Sequence, residues 1–231
     1  MSHPSGEIAP GILEVALEAR ARLAEVPPDV ESRIAASLRD DMVTEYDARF
    51  LVDYIDSLNL SLGSSFRKTL RNWYRDEVRH FSSFRCVVEN CLEERELALD
   101  SREPDFSLVE HLFEGEFEIL CLLAYDELAT LRGYRGNLPL YDTLGQGLGR
   151  HVRRVIADEA GHYADFRALL VGHHSHRLPE VPDVVRRIRE TEGTPYRATF
   201  VLDHDDPVYG DHIFDDAARI LVSQMQRETH R

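Results

Sequence analysis

The sequence predicts an all-α fold: an up-down bundle of four long helices with extra N- and C-terminal helices. Three observations predict it. Long stretches repeat apolar residues at the i, i+3, i+4 spacing of an α-helix. No set of period-2 segments is present that could build a sheet. Two of the helical stretches carry the same motif, Asp-Glu-x-x-His, at 76–80 and 158–162, and each sets it in the middle of an apolar face.

Taken in order, residues 1–10 read as disordered, and 11–25 as a short amphipathic helix stopped by Pro27 and Pro28. Asp29 can cap a helix continuing over 33–58, with the stripe Ile34, Leu38, Met42, Glu45, Val52 and Ile55. Residues 59–65 form a turn, and Ser64 or Ser65 can cap the next helix. That helix carries the first motif to about residue 100, where Pro104 enforces a break. Asp105 or Ser107 starts a third long helix, to about Leu131. Gly133, Gly136 and Pro139 mark the next turn, over 133–139. The fourth helix runs from about Leu140 to Gly172 and carries the second motif. A short helix over 183–192, an extended segment over 194–202, a polar loop around His204 and a last amphipathic helix over 211–227 complete the chain.

A length of 231 residues fits one domain, 1–231, with a four-helix core at 29–172 and a C-terminal extension at 173–231 packing on it. No apolar run approaches the ~18 residues of a membrane span. The first residues lack the basic and apolar regions of a secretory signal. Three cysteines, Cys86, Cys91 and Cys121, with no Cys-x-x-Cys pair, read as reduced thiols of a cytoplasmic protein. A net charge of −15 argues against nucleic-acid and anionic-membrane partners.

With 22 Glu and 11 His in the chain, a bare Glu-x-x-His is expected roughly once by chance. Requiring Asp before Glu lowers that to about 0.1, so a pair is informative. The first apolar stripe reads Phe66, Leu70, Trp73, Glu77, His80, Phe84, Val88; the second reads Val152, Val155, Glu159, His162, Phe166, Leu169. Glu and His one turn apart share a helix face. Burying an unpaired carboxylate costs several kcal/mol, and a metal cation is the strongest compensating partner.

A di-metal site in a bundle core takes one further Glu from each remaining helix. A hairpin centred near residue 62 sets Glu77 opposite residues 46–47, where Glu45 lies on the apolar stripe and Asp47 off it. A hairpin centred at 136–139 sets Glu159 opposite 113–119. Glu118 continues the stripe of Leu108, Leu112, Gly115, Leu122 and Tyr125. Glu116 lies on a second apolar face and stays a rival. On this register Asp126 and Glu127 fall too near the turn to be ligands. The expected set is Glu45, Glu77, His80, Glu118, Glu159 and His162: four carboxylates that two divalent ions neutralise. Asp158 is expected to orient His80, and Asp76 to orient His162. His173, His174 and His176 read as a helix C-terminus.

These residues resemble the ferritin-like di-iron carboxylate superfamily, which includes bacterioferritin, the ribonucleotide reductase small subunit and the soluble acyl-carrier-protein desaturases. Its pattern, Glu … Glu-x-x-His … Glu … Glu-x-x-His, maps onto the same six residues, and 156–163 is similar to the fourth-helix motif of the desaturase-like branch. The resemblance covers about residues 30–172. It implies a non-haem di-iron oxidase or oxygenase with two Fe, or Mn with Fe, and O2 as co-substrate. Such an enzyme hydroxylates, desaturates or N-oxygenates a small organic or carrier-bound acyl substrate, with an external electron donor and a homodimer as a possible assembly. Iron storage with ferroxidase activity is the alternative, and a metal-free bundle used only for binding is a third reading.

Overall fold

The computed structural model describes residues 11–94, 99, 105–191 and 211–230. Among these every regular element is helical: α1 (Ile12–Leu23), α2 (Pro28–Ser57), α3 (Ser64–Cys91), α4 (Glu116–Thr143), α5 (Gln146–His173), α6 (Val181–Thr191) and α7 (Asp211–Thr229), with 3-10 turns at Phe106–Leu112 and Ser175–Glu180. The expected disorder of 1–10, the extended segment 194–202 and the loop around His204 fall outside the described residues. No described helix is long and apolar enough to cross a membrane. The three cysteines are buried and unbridged.

Helix starts follow local chemistry. Pro28 at the first turn of α2 gives up no hydrogen bond there. Asp29 and Glu31 lie against the positive end of its dipole. Neither Ser64 nor Ser65 caps α3; Gly63 holds that position, and its N–H donates to the Glu116 carboxylate instead. Both motif stripes are buried at every expected position. On α2, Leu51 is buried where Val52 was expected.

The second half of the chain differs from expectation. α3 ends at Cys91. The Asp105 side chain accepts from the Ser107 N–H at 2.9 Å, but this caps only a 3-10 turn. α4 starts at Glu116 and runs through the expected turn at 133–139 to Thr143. Two buried tyrosines hold that stretch helical from a distance. Tyr134 donates its hydroxyl to Glu45, and Tyr141 donates to Asp41, both on α2. Residues seven apart fall on the same face of a helix, so a helical 133–141 turns both hydroxyls toward α2, where Asp41 and Glu45 lie one turn apart. Pro139 lies inside the helix, where it forgoes the hydrogen bond to the Arg135 carbonyl. The reversal is at Gly145, whose φ of 112° and ψ of 158° belong to glycine alone.

Apolar side chains form two clusters. One takes Ala48 to Ile55 of α2, Phe66 to Trp73 of α3, Phe117 to Ala129 of α4 and Phe166 to Leu170 of α5, with α6 and α7. The other takes Ile34 to Tyr46 of α2, Phe81 to Cys91 of α3, Tyr134 and Tyr141 of α4 and Leu148 to Val155 of α5, with α1. The order of these residues sets helix direction. α3 and α4 both run from the first cluster to the second, while α2 and α5 run back. The expected strict up-down alternation is therefore corrected: α3 ends in the second cluster and α4 begins in the first, so the two run the same way. α2 packs on α3, α4 on α5, α3 on α5 and α2 on α4. α1 lies against α3 and α5, and α6 and α7 lie against α4.

Two stability outcomes follow from this packing. A Cβ at Gly145 would lie 2.7 Å from Glu18 Oε1 in addition to the backbone strain. Gly145→Ala is expected to lower stability by about 2 kcal/mol in chemical denaturation. His151 is buried, edge-on to Phe84 at 6.0 Å, and burial followed by the charge of His80 depresses its pKa from 6.5 to about 4. The folded state then binds fewer protons than the unfolded state between these values, so stability falls as pH falls from 6.5 to 4. His151→Leu should remove a loss of about 3 kcal/mol across that window, read from urea midpoints at each pH.

Candidate metal centre

Between the two apolar clusters lies a layer of six buried ionisable side chains. Glu45 comes from α2, Glu77 and His80 from α3, Glu127 from α4, and Glu159 and His162 from α5. Their relative exposures are 3%, 3%, 4%, 2%, 1% and 7% in that order. Ligand atoms gather in two groups, each within 4.8 Å: Glu45, Glu77, His80 and Glu159, and Glu77, Glu127, Glu159 and His162. Glu77 and Glu159 belong to both. Five of the six expected residues are thus brought together.

Glu118 is the exception, and Glu127 stands in its place. Glu118 lies at the first turn of α4, where its carboxylate accepts from Arg177 at 2.7 Å. The rival Glu116 accepts from Gly63 N–H and pairs with His174 Nε2 at 3.0 Å, which ties the start of α4 to the α2–α3 turn and to the end of α5. The displacement has one cause. The reversal lies at Gly145 and not at 136–139, so the level of Glu159 is met further along α4, at Glu127, nine residues or roughly 13 Å of helix beyond Glu118. Glu127 was hard to find because residues 117–131 of α4 are buried on every side, so no apolar stripe sets its register. One signal was available: Asp126-Glu127 repeats the Asp-Glu pair of 76–77 and 158–159.

The two histidines present equivalent atoms to the cluster. His80 Nδ1 lies 3.5 Å from Glu45 Oε2, 3.1 Å from Glu159 Oε1 and 4.0 Å from Glu77 Oε2. His162 Nδ1 lies 3.0 Å from Glu159 Oε2, 3.2 Å from Glu77 Oε1 and 3.5 Å from Glu127 Oε2. Each shared carboxylate therefore offers one oxygen to each side. The outer nitrogens meet the expected aspartates across the helix pair: His80 Nε2 is 3.2 Å from Asp158, and His162 Nε2 is 3.5 Å from Asp76. A proton donated outward on Nε2 leaves the Nδ1 lone pair facing inward.

Aromatic donors hold the outer carboxylates. Trp73 donates its indole N–H to Glu127 Oε1 at 2.7 Å, and Tyr134 donates to Glu45 Oε1. The sequence placed Trp73 only on the apolar stripe of its helix. In each glutamate the second oxygen is left buried without a hydrogen bond, as are Glu77 Oε1, His80 Nδ1 and Glu159 Oε1.

The charge balance has the same character. Burial, and then the neighbouring charges of Glu159 and Glu45, push Glu77 well above the usual carboxylate range. Burial and Glu159 do the same to Glu127. For the imidazoles burial acts downward, but Glu45 and Glu159 carry His80 well above its ordinary value, and Glu127 carries His162 up. Burial would raise Glu159, yet His80 and His162 hold it far below the usual range. A cluster that pushes Glu77, Glu127, His80 and His162 toward their protonated forms is short of positive charge. Divalent ions can replace those protons, and the unpartnered inward atoms are of the right kind, so the residues fit a metal pair.

No family model, no curated protein and no solved structure matches this chain.

The corrected ligand is testable by paired substitution. Glu127→Gln is expected to remove one of two bound divalent ions or to weaken it by about a hundredfold, whereas Glu118→Gln leaves metal content unchanged. Equilibrium dialysis with elemental analysis reads both, and the opposite pattern would restore Glu118.

Proposed function

We propose that this chain is a non-haem di-iron oxidase or oxygenase, built on a ferritin-like four-helix bundle, that uses O2 to oxidise a small organic or carrier-bound acyl substrate. One observation carries the reading: Glu77 and Glu159 each direct one oxygen to the His80 side and the other to the His162 side, so both carboxylates would help hold each of two cations. Glu45 and His80 would complete one metal position, and Glu127 and His162 the other. Oxygen and imidazole donors without thiolate favour iron or manganese over structural zinc. The connection that lets α3 and α4 run the same way agrees with ferritin-like bundles, which have one long crossover.

Bound iron would supply the redox equivalents for O2 chemistry, recharged by an external donor. The chain's own groups do the rest. Asp158 and Asp76 hold the imidazoles in the tautomer that presents Nδ1. Trp73 and Tyr134 fix Glu127 and Glu45 with one oxygen inward. Apolar clusters above and below keep water from competing for the carboxylates.

Ferrous iron added without air should load at about two per chain, one for each ligand group. Chelation should then lower the melting temperature, since metal bound only to the folded state stabilises it. O2 consumption should require both reductant and an organic substrate. Iron taken up far beyond two per chain by a large hollow assembly would identify an iron store instead. If Glu77→Ala and Glu159→Ala raise the melting temperature and chelation changes nothing, the metal reading fails.

A further inference from the structure

A second cavity, of about 750 Å³, opens between α2, α4 and the start of α7. It is not the metal centre. Its α2 residue Ser37 is eight positions from Glu45, and its α4 residue Asn137 is ten from Glu127, so its floor lies roughly 12–15 Å along the helices from the carboxylates.

The charge of its wall runs against the rest of the molecule. Asp and Glu outnumber Lys and Arg by 42 to 27 in the chain. The wall holds Arg33, Arg132 and Arg135 against a single acid, Asp216. That acid is already engaged by Arg132 and by Arg219. Arg33 and Arg135 have no ion pair or hydrogen bond among the described residues, although an acidic protein offers many carboxylates. Asn137 in the lining is 1% exposed, and its Nδ2 has no hydrogen-bond acceptor among the described residues. A buried amide N–H without an acceptor is destabilising. Ala36 and Ile213 supply apolar surface, and Ser32, Ser37, Gly136 and His212 complete the lining.

We propose that this cavity binds a small organic anion, with a carboxylate or phosphate head between Arg33 and Arg135 and within reach of Asn137, and a short apolar body against Ala36 and Ile213. Arginines present N–H donors in the fork geometry such heads accept. The volume lies in the usual range for small-molecule sites. The proposal goes beyond the oxidase reading and does not depend on it.

The test is calorimetric titration of the whole chain with octanoate and octyl phosphate, with octanol as the neutral control. Saturable binding at one site per chain is expected for at least one anion, with octanol weaker by about tenfold or more. The better anion identifies the head group. Arg33 and Arg135 are exposed, so Arg33→Ala with Arg135→Ala should keep the melting temperature while weakening binding by about tenfold or more. No saturable binding of either anion, equal binding of octanol, or undiminished binding in the double variant would overturn the proposal. Iron content is read separately, so failure here leaves the metal centre untouched, and the converse holds.

Discussion

Four carboxylates share one layer of the interior at 1–3% exposure, and the surrounding structure is arranged by that fact. Each would cost several kcal/mol if left charged and unpaired. No arginine or lysine reaches them among the ion pairs of the described residues; their near neighbours are two imidazoles. Apolar packing alone would expel such a layer. Here it is instead enclosed, with one apolar cluster on each side, and its ligand atoms lie close enough together to hold metal ions.

The outer contacts decide which atoms face that space. A carboxylate has two oxygens and a neutral imidazole has one donor and one acceptor nitrogen. Trp73 and Tyr134 each occupy one oxygen of a glutamate, and Asp158 and Asp76 each occupy one nitrogen of a histidine. Every such bond satisfies the outward atom and leaves the inward atom available. The same partners limit rotation, so the donor set is preorganised and not collapsed onto itself.

Helix direction explains why the aspartates cross over. α3 and α5 run antiparallel and touch, as the order of their residues in the two clusters requires. In Asp-Glu-x-x-His the Asp precedes the Glu by one residue, so it sits at the edge of the inward face. Two antiparallel copies then relate by an approximate two-fold axis, which brings the Asp of each beside the His of the other. The repeated motif and its second contacts are one geometric statement.

The sequence by itself determined the helical class, both motif faces and Glu45, because each depends on residues one turn apart or on the short α2–α3 hairpin; the crossed Asp–His contacts, expected from the repeated motif, also needed the antiparallel packing of α3 on α5. It did not determine α4. Glycines and a proline at 133–139 have turn propensity, and that local preference of about 1–3 kcal/mol is overridden by Tyr134 and Tyr141 reaching α2. A helix buried on all sides shows no stripe, so only the packed structure could choose Glu127 over Glu118. Helix direction after residue 91 was likewise set by tertiary contacts: a connection of that length permits either direction, and burial of the two apolar clusters selects one.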